Sequence, residues 1–275
     1  MRKFNTTDIP MTQRIRGLID ELFAKMPEIE VDRAVLLTES YKQTENEPIV
    51  KRRALAFAHI LENIPITIRD NELIVGSATK APRSCQVFPE YSYEWLESEL
   101  DTVEFREADP FHISEENKRI LREVYPYWKG KTTSDLAAAY MAPEAALSIE
   151  HNMFTPGNYF YNGVGHITVD YGKVLRIGYK GIMEEVRQEL DSMNVYDADY
   201  TKKHEFLESV LISCEAVINY ARRYAKLAYE TAQKESDGAA IFFGMMCVEG
   251  FIAMCWAAGA MVVYNLGMTG NATQV

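Results

Sequence analysis

Apolar residues recur at helical spacing through most of the first 236 positions of the chain. Ile15, Leu18, Ile19, Leu22 and Phe23 fall at i, i+3, i+4, i+7 and i+8, which predicts an amphipathic helix over Met11 to Met26. Asp32 is placed to cap a second helix through Gln43. Pro48 suits the first turn of a third running to Asn63, where a missing N–H wastes no hydrogen bond. Pro65 blocks its continuation. From Ile64 to Gly76 β-branched runs flank Asp70-Asn71, which predicts a short hairpin. Lys80 to Tyr91 reads as irregular. Short helices follow over Tyr93 to Leu100 and Ser114 to Tyr125, the latter with Ser114 as N-cap and Glu115 and Glu116 suited to the positive end of the helix dipole. Thr155 to Tyr171 holds three glycines, a proline, four aromatics and a histidine in 17 residues, and reads as a loop or short strand. Helices are predicted again over Gly172 to Met193 and Thr201 to Lys234, the second with Phe206, Val210, Cys214, Val217, Ile218, Ala221, Ala225 and Ala228 on one stripe. This part is mostly α, with little strand.

The pattern breaks between Ser236 and Gly238. The 39 residues from Asp237 onward carry Asp237 and Glu249 as their only formal charges. Ala240 to Tyr264 is a run of 25 residues with one charge, long enough as a helix of about 1.5 Å per residue to cross a hydrocarbon core of about 30 Å. The break predicts two parts, 1–236 and a hydrophobic, transmembrane-like tail over 237–275, with membrane contact through 238–266. Arg222, Arg223, Lys226 and Lys234 would keep the preceding side cytoplasmic.

A net charge of −11 repels phosphate backbones and argues against nucleic acid as a partner. The four cysteines, Cys85, Cys214, Cys247 and Cys255, include no C-x-x-C pair, so no zinc or iron–sulfur site is expected. The N-terminus has no apolar h-region, and the expected location is cytoplasmic with free thiols.

Three segments carry a resemblance when taken in order. The first is Val31-Asp-Arg-Ala-Val-Leu-Leu-Thr-Glu-Ser-Tyr-Lys-Gln-Thr-Glu with Arg52-Arg-Ala-Leu-Ala-Phe-Ala-His-Ile-Leu-Glu-Asn-Ile-Pro-Ile. The second is Leu73-Ile-Val-Gly-Ser leading to Phe88-Pro-Glu-Tyr-Ser. The third is Gly163-Val-Gly-His-Ile-Thr-Val-Asp-Tyr-Gly-Lys-Val-Leu. Over residues 10 to 236 the chain resembles the N-terminal part of the pyruvate formate-lyase-like glycyl radical enzymes, in particular their glycerol, propanediol and hydroxyproline dehydratases and choline trimethylamine-lyases.

The resemblance implies the α-helical N-terminal portion of a ten-stranded α/β barrel, here followed by a C-terminal hydrophobic helix. It implies a homodimer acting on a small-molecule substrate by radical elimination. No cofactor is bound directly. A glycyl radical is installed by an S-adenosylmethionine iron–sulfur activating enzyme and passes to a cysteine in a Cys-x-Glu loop. In the dehydratases a histidine matching His166 contacts the substrate hydroxyl, and Asp170, Asn162, Tyr161 and Tyr159 are candidates for the same pocket. A neutral imidazole offers one donor and one acceptor, which suits a departing hydroxyl. Taken without the resemblance, His166 reads as a buried histidine bonded to a carbonyl, Asp170 as an Asx turn and the tyrosines as packing.

Cys247-Val-Glu249 reproduces Cys-x-Glu but lies inside the apolar run, with Gly250 where the family has proline, so no catalytic residue is assigned. Residues 238–270 resemble a transmembrane helix of the carbon starvation transporters. The expectation is therefore a truncated lyase or dehydratase, inactive alone. A membrane transport fragment with a soluble appendage, and a helical module pairing with an intact glycyl radical subunit, stand as alternatives.

Overall fold

The computed structural model describes residues 11–69, 72, 75–154 and 170–234. Helix α1 (Gln13–Ala24) starts at Thr12, whose hydroxyl accepts from Ile15 N at 3.2 Å. Strand β1 (Glu28–Glu30) leads into α2 (Asp32–Gln43) and α3 (Ile49–Asn63). Strand β2 (Ser84–Gln86) is followed by α4 (Glu94–Glu99) and a 3-10 turn at Val103–Phe105. Then come α5 (Glu115–Trp128), α6 (Thr133–Ala139), α7 (Pro143–Glu150), α8 (Tyr171–Ser192) and α9 (Tyr200–Ala232). The described protein is mostly helical, as the periodicity predicts.

Helix α9 packs along α3 and α8, while α2 packs against α3 and α5. The core closes around Leu61, Ile64, Leu121, Tyr125 and Tyr224, each at most 1% exposed. Burying side chains of this size contributes about 1.5–3 kcal/mol apiece relative to exposure, which is why the helical stripes settle inward. α5 starts at Ser114, whose hydroxyl accepts from Asn117 N at 3.1 Å.

Two expectations are corrected, and a third lies partly outside the described residues. The predicted hairpin turn at Asp70-Asn71 and part of its second flank are among the residues not described; the described residues of 64–76 form no strand, and Glu72 N donates to Arg69 O at 3.2 Å. Tyr224 and Tyr220 both donate their hydroxyls to Ser77 O, at 3.0 and 3.4 Å. The described sheet is instead a long-range parallel pair, with Glu28, Ile29 and Glu30 opposite Ser84, Cys85 and Gln86. Asp32 is not the cap of α2; Val31 holds that position, and the Asp32 carboxylate pairs with Lys80 Nζ at 2.8 Å. Finally, α8 is broken at Gly178, which has φ 63°.

None of the described helices is long and apolar enough to cross a membrane. The expected hydrophobic tail over 237–275 and its membrane contact fall outside the described residues.

Candidate functional site

Of the five predicted site residues, Tyr159, Tyr161, Asn162 and His166 lie outside the described residues, and Asp170 lies within them. Asp170 is exposed and sits at the N-cap of α8, where its carboxylate accepts from Lys173 N at 2.9 Å. An anionic cap there satisfies one of the orphan N–H groups of the first turn and suits its positive end. A Cβ on Gly172 would stand 3.4 Å from Asp170 Oδ1, an ordinary contact, so the cap itself does not require glycine there.

The first turns of α8 are set at an angle by two glycines. Gly178 is buried and takes a positive φ that side chains with a Cβ rarely adopt. A Cβ on Gly181 would lie 2.6 Å from Ile177 Cβ, so the two halves of α8 meet through bare backbone. The stretch following the candidate loop is thus anchored by a bend, then by Tyr179 and Met183 against α9.

A buried polar network orders the other family-like segment. Glu30, 3% exposed, accepts from Lys80 N at 2.9 Å, Ala81 N at 3.2 Å and Gln86 Nε2 at 3.1 Å. Burial raises its pKa above the usual carboxylate value of 4.5, against the lowering effect of the backbone N–H groups of Ala81 and Lys80. Gln86 Oε1 accepts from Arg33 N at 3.0 Å. The Arg33 guanidinium forks onto Glu90 at 3.0 and 2.5 Å and lies 3.6 Å from the centre of the Phe88 ring. From the far side, Arg223 caps the end of α3 by donating to Leu61 O at 2.5 Å and Ile64 O at 2.8 Å. Periodicity did not point to these residues, although Phe88-Pro-Glu lies in a segment that carried the resemblance.

Among the described residues no group of His, Cys, Asp and Glu could hold a metal ion. Burial pushes the Cys85 thiol up to about 12 and that of Cys214 up to about 11, so both stay protonated. The described residues therefore set a capped and bent helix directly after the candidate segment in sequence, and hold a clamped loop over 77–91.

Comparison with known proteins identifies the family to which this helical arrangement belongs. The Pyruvate formate lyase-like family model matches residues 11–241. The chain belongs to the Pyruvate formate lyase-like family. A structure solved for 1,2-propanediol dehydration in Roseburia inulinivorans is 53% identical, with a TM-score of 0.89, over 94% of this chain and 32% of that one. The glycerol-bound B12-independent glycerol dehydratase from Clostridium butyricum is 47% identical, with a TM-score of 0.89, over 94% of this chain and 34% of that one. The (2S)-3-sulfopropanediol dehydratase of Klebsiella oxytoca is 32% identical over 234 residues, 83% of this chain and 28% of that enzyme. The chain thus spans about a third or less of the length of these relatives. The family match crosses Ser236 and ends at residue 241, and these matches lend no support to a transporter reading of residues 238–270.

Proposed function

We propose that residues 1–236 form the substrate-facing N-terminal part of a glycyl radical dehydratase or lyase. The reaction is radical elimination from a small hydroxylated or aminated substrate. The observation that supports this most is the 53% identity to the structure solved for 1,2-propanediol dehydration, backed by the glycerol-bound dehydratase at 47%. On this reading His166 binds the substrate hydroxyl, its neutral ring donating to or accepting from the oxygen that departs. Asp170, Asn162, Tyr161 and Tyr159 line the same pocket. The glycyl radical, installed by an S-adenosylmethionine iron–sulfur activating enzyme, supplies hydrogen-atom abstraction. The described thiols, Cys85 and Cys214, are buried, so we assign that step to other sequence. The whole enzyme is a cytoplasmic homodimer, residues 237–275 form a separate part, and this chain alone is inactive.

The test is a covalent hybrid in which residues 1–236 replace the matched first third of the Clostridium butyricum enzyme. Anaerobic activation should yield a glycyl-type doublet by electron paramagnetic resonance and dehydration of glycerol or 1,2-propanediol. A hybrid that carries the radical but turns over no diol or amino alcohol overturns the substrate class. A doublet on the 275-residue chain alone overturns the assignment of the radical chemistry elsewhere.

A further inference from the structure

Four cations converge where the ends of α2 and α5 meet the start of α3. Lys42 lies in the last turn of α2, Arg52 and Arg53 near the start of α3, and Lys131 just after α5. They gather on two tyrosines. The Arg52 guanidinium stands 4.5 Å from the centre of the Tyr41 ring, and Arg53 donates to the Tyr41 hydroxyl. Lys131 Nζ lies 3.8 Å and Lys42 Nζ 5.6 Å from the centre of the Tyr127 ring. Both rings pack on Trp128, which is buried and has its ring centre 5.2 Å from each. Trp128 is itself held, since its Nε1 donates to Thr38 Oγ1 at 2.8 Å. Carboxylates do not account for the gathering. Among the described residues Lys42, Arg52 and Arg53 form no ion pair, and Glu90 is engaged by Arg33. Lys131 reaches Glu45 at 4.0 Å, and Glu45 also accepts from the Tyr127 hydroxyl. Arg52 bonds to the protein through one nitrogen: Nη2 donates to Tyr41 O at 2.9 Å and to the Tyr127 hydroxyl at 3.3 Å. Its buried Nε–H has no acceptor among the described residues. A buried donor left in that way costs about 1–3 kcal/mol.

We propose that this collar of Lys42, Arg52, Arg53 and Lys131 binds a small anion carrying two or more phosphoryl groups. The inference goes beyond the reaction proposed above and does not draw on it. A cation seated on a ring keeps its N–H donors for another acceptor, because the ring attracts the charge without taking up the hydrogen bonds. The collar therefore presents both charge and donors. In a chain of net charge −11, four cations around the single carboxylate of Glu45 make a local field of the opposite sign, which draws anions to this corner. The arginines supply planar N–H forks that match phosphate oxygens, and the lysines supply point charges. Donors from α2, from α3 and from the residues after α5 outnumber what one oxyanion can accept, which favours an anion with linked phosphoryl groups. Trp128 fixes the two rings before any ligand arrives, so little ordering is left for binding to impose.

The test is calorimetric titration of the 275-residue chain with inorganic pyrophosphate at low ionic strength. One saturable site is expected, and it should weaken as salt is added. R52Q, and separately the pair K42Q/K131Q, should each weaken it about tenfold or more by removing charge-assisted hydrogen bonds. K226Q, which removes an exposed cation on α9, should leave it unchanged. Where circular dichroism shows R52Q to be poorly folded, the lysine pair decides, because it leaves the Arg52 bonds to Tyr41 and Tyr127 in place. ADP in place of pyrophosphate separates the two sources of such a group. Tighter binding assigns the site to a nucleotide, and equal or weaker binding assigns it to the phosphoryl groups alone. Absence of a saturable site overturns the inference, as does equal weakening by K226Q. In the covalent hybrid, pyrophosphate binding that K42Q/K131Q no longer weakens also overturns it, since the remaining polypeptide would then cover the collar.

Discussion

Lys173 Nζ lies 2.5 Å from Glu185 Oε2, although both belong to α8. In a straight helix, at about 1.5 Å per residue, their Cα atoms would be about 18 Å apart, beyond the combined reach of the two side chains. The contact therefore reports the bend at Gly178, which folds the first turns back towards the second half. The pair itself is part-exposed and contributes about 0–1 kcal/mol. The geometry comes from Gly178 and Gly181.

Gly178→Ala should cost about 1–3 kcal/mol, because φ 63° with ψ 178° is a backbone conformation that essentially only glycine adopts. Gly181→Ala should cost about 1–3 kcal/mol by crowding Ile177 in a packed contact. Urea unfolding measures both. Adding Ile177→Ala to Gly181→Ala should recover neither loss, because alanine keeps the Cβ that the new one meets at 2.6 Å. Gly130→Ala is the comparison for strain without crowding, since φ there is 74° and nothing lies within 4 Å of the added Cβ.

How much of the fold was legible depends on where the information lies. α5 and α9 were readable because an apolar stripe and a serine cap are local signals, and packing then acts on the stripe. Not every striped residue is buried: Phe206 remains 57% exposed, while Tyr220 and Tyr224 carry the core. α6 and α7 passed unread because an alanine-rich stretch has no polar–apolar contrast, although Thr132 with Asp135 and the first-turn Pro143 were visible start signals. The β1–β2 pair joins strands more than fifty positions apart, and no local pattern encodes such a partner. Of the candidate site, Asp170 was readable as a polar residue just before a helix, whereas His166 rests on resemblance.

Glu30 should make stability fall as pH rises. Its folded pKa is raised, so the folded chain holds the proton more tightly than the unfolded chain. The contribution is fully present below the unfolded value of about 4.5 and is lost as pH climbs through the folded value. Glu30→Gln should flatten that slope in urea unfolding across this window. At neutral pH the substitution should still cost about 1–3 kcal/mol, because its amide N–H₂ would face donors from Lys80, Ala81 or Gln86. A slope that persists in the variant would assign the pH dependence to another group.

Arg33→Ala should cost about 3–5 kcal/mol by leaving Glu90 part-buried without its partner. Arg33→Lys should recover less than half, since an ammonium cannot fork onto the carboxylate and stack on Phe88 together. Thermal unfolding gives the size. Limited proteolysis gives the place, with new cleavage expected between residues 77 and 91.

Cys85 and Cys214 should resist alkylation in the folded chain. Both are buried and their thiols are pushed up to about 12 and about 11, so almost no thiolate is present at neutral pH. Peptide mapping after a short pulse of iodoacetamide should find both unmodified, and both labelled in urea. Labelling of Cys214 without denaturant would mean that α9 separates from α8 in the native state.

Asp170 offers a way to part structure from function at one residue. Asp170→Ala removes the cap of α8 and should cost about 1 kcal/mol, whereas Asp170→Ser keeps a capping oxygen and should stay within a few tenths. In the activated covalent hybrid, the proposal that Asp170 lines the pocket requires Asp170→Ser to lower kcat/KM about tenfold or more while the unfolding midpoint holds. If activity instead tracks stability through both variants, Asp170 is a cap alone. His166→Ala gives the matching control, since it removes the ring's donor and acceptor together. It should lower kcat/KM about tenfold or more, the loss of a hydrogen bond to the departing oxygen. The unfolding midpoint should hold there too.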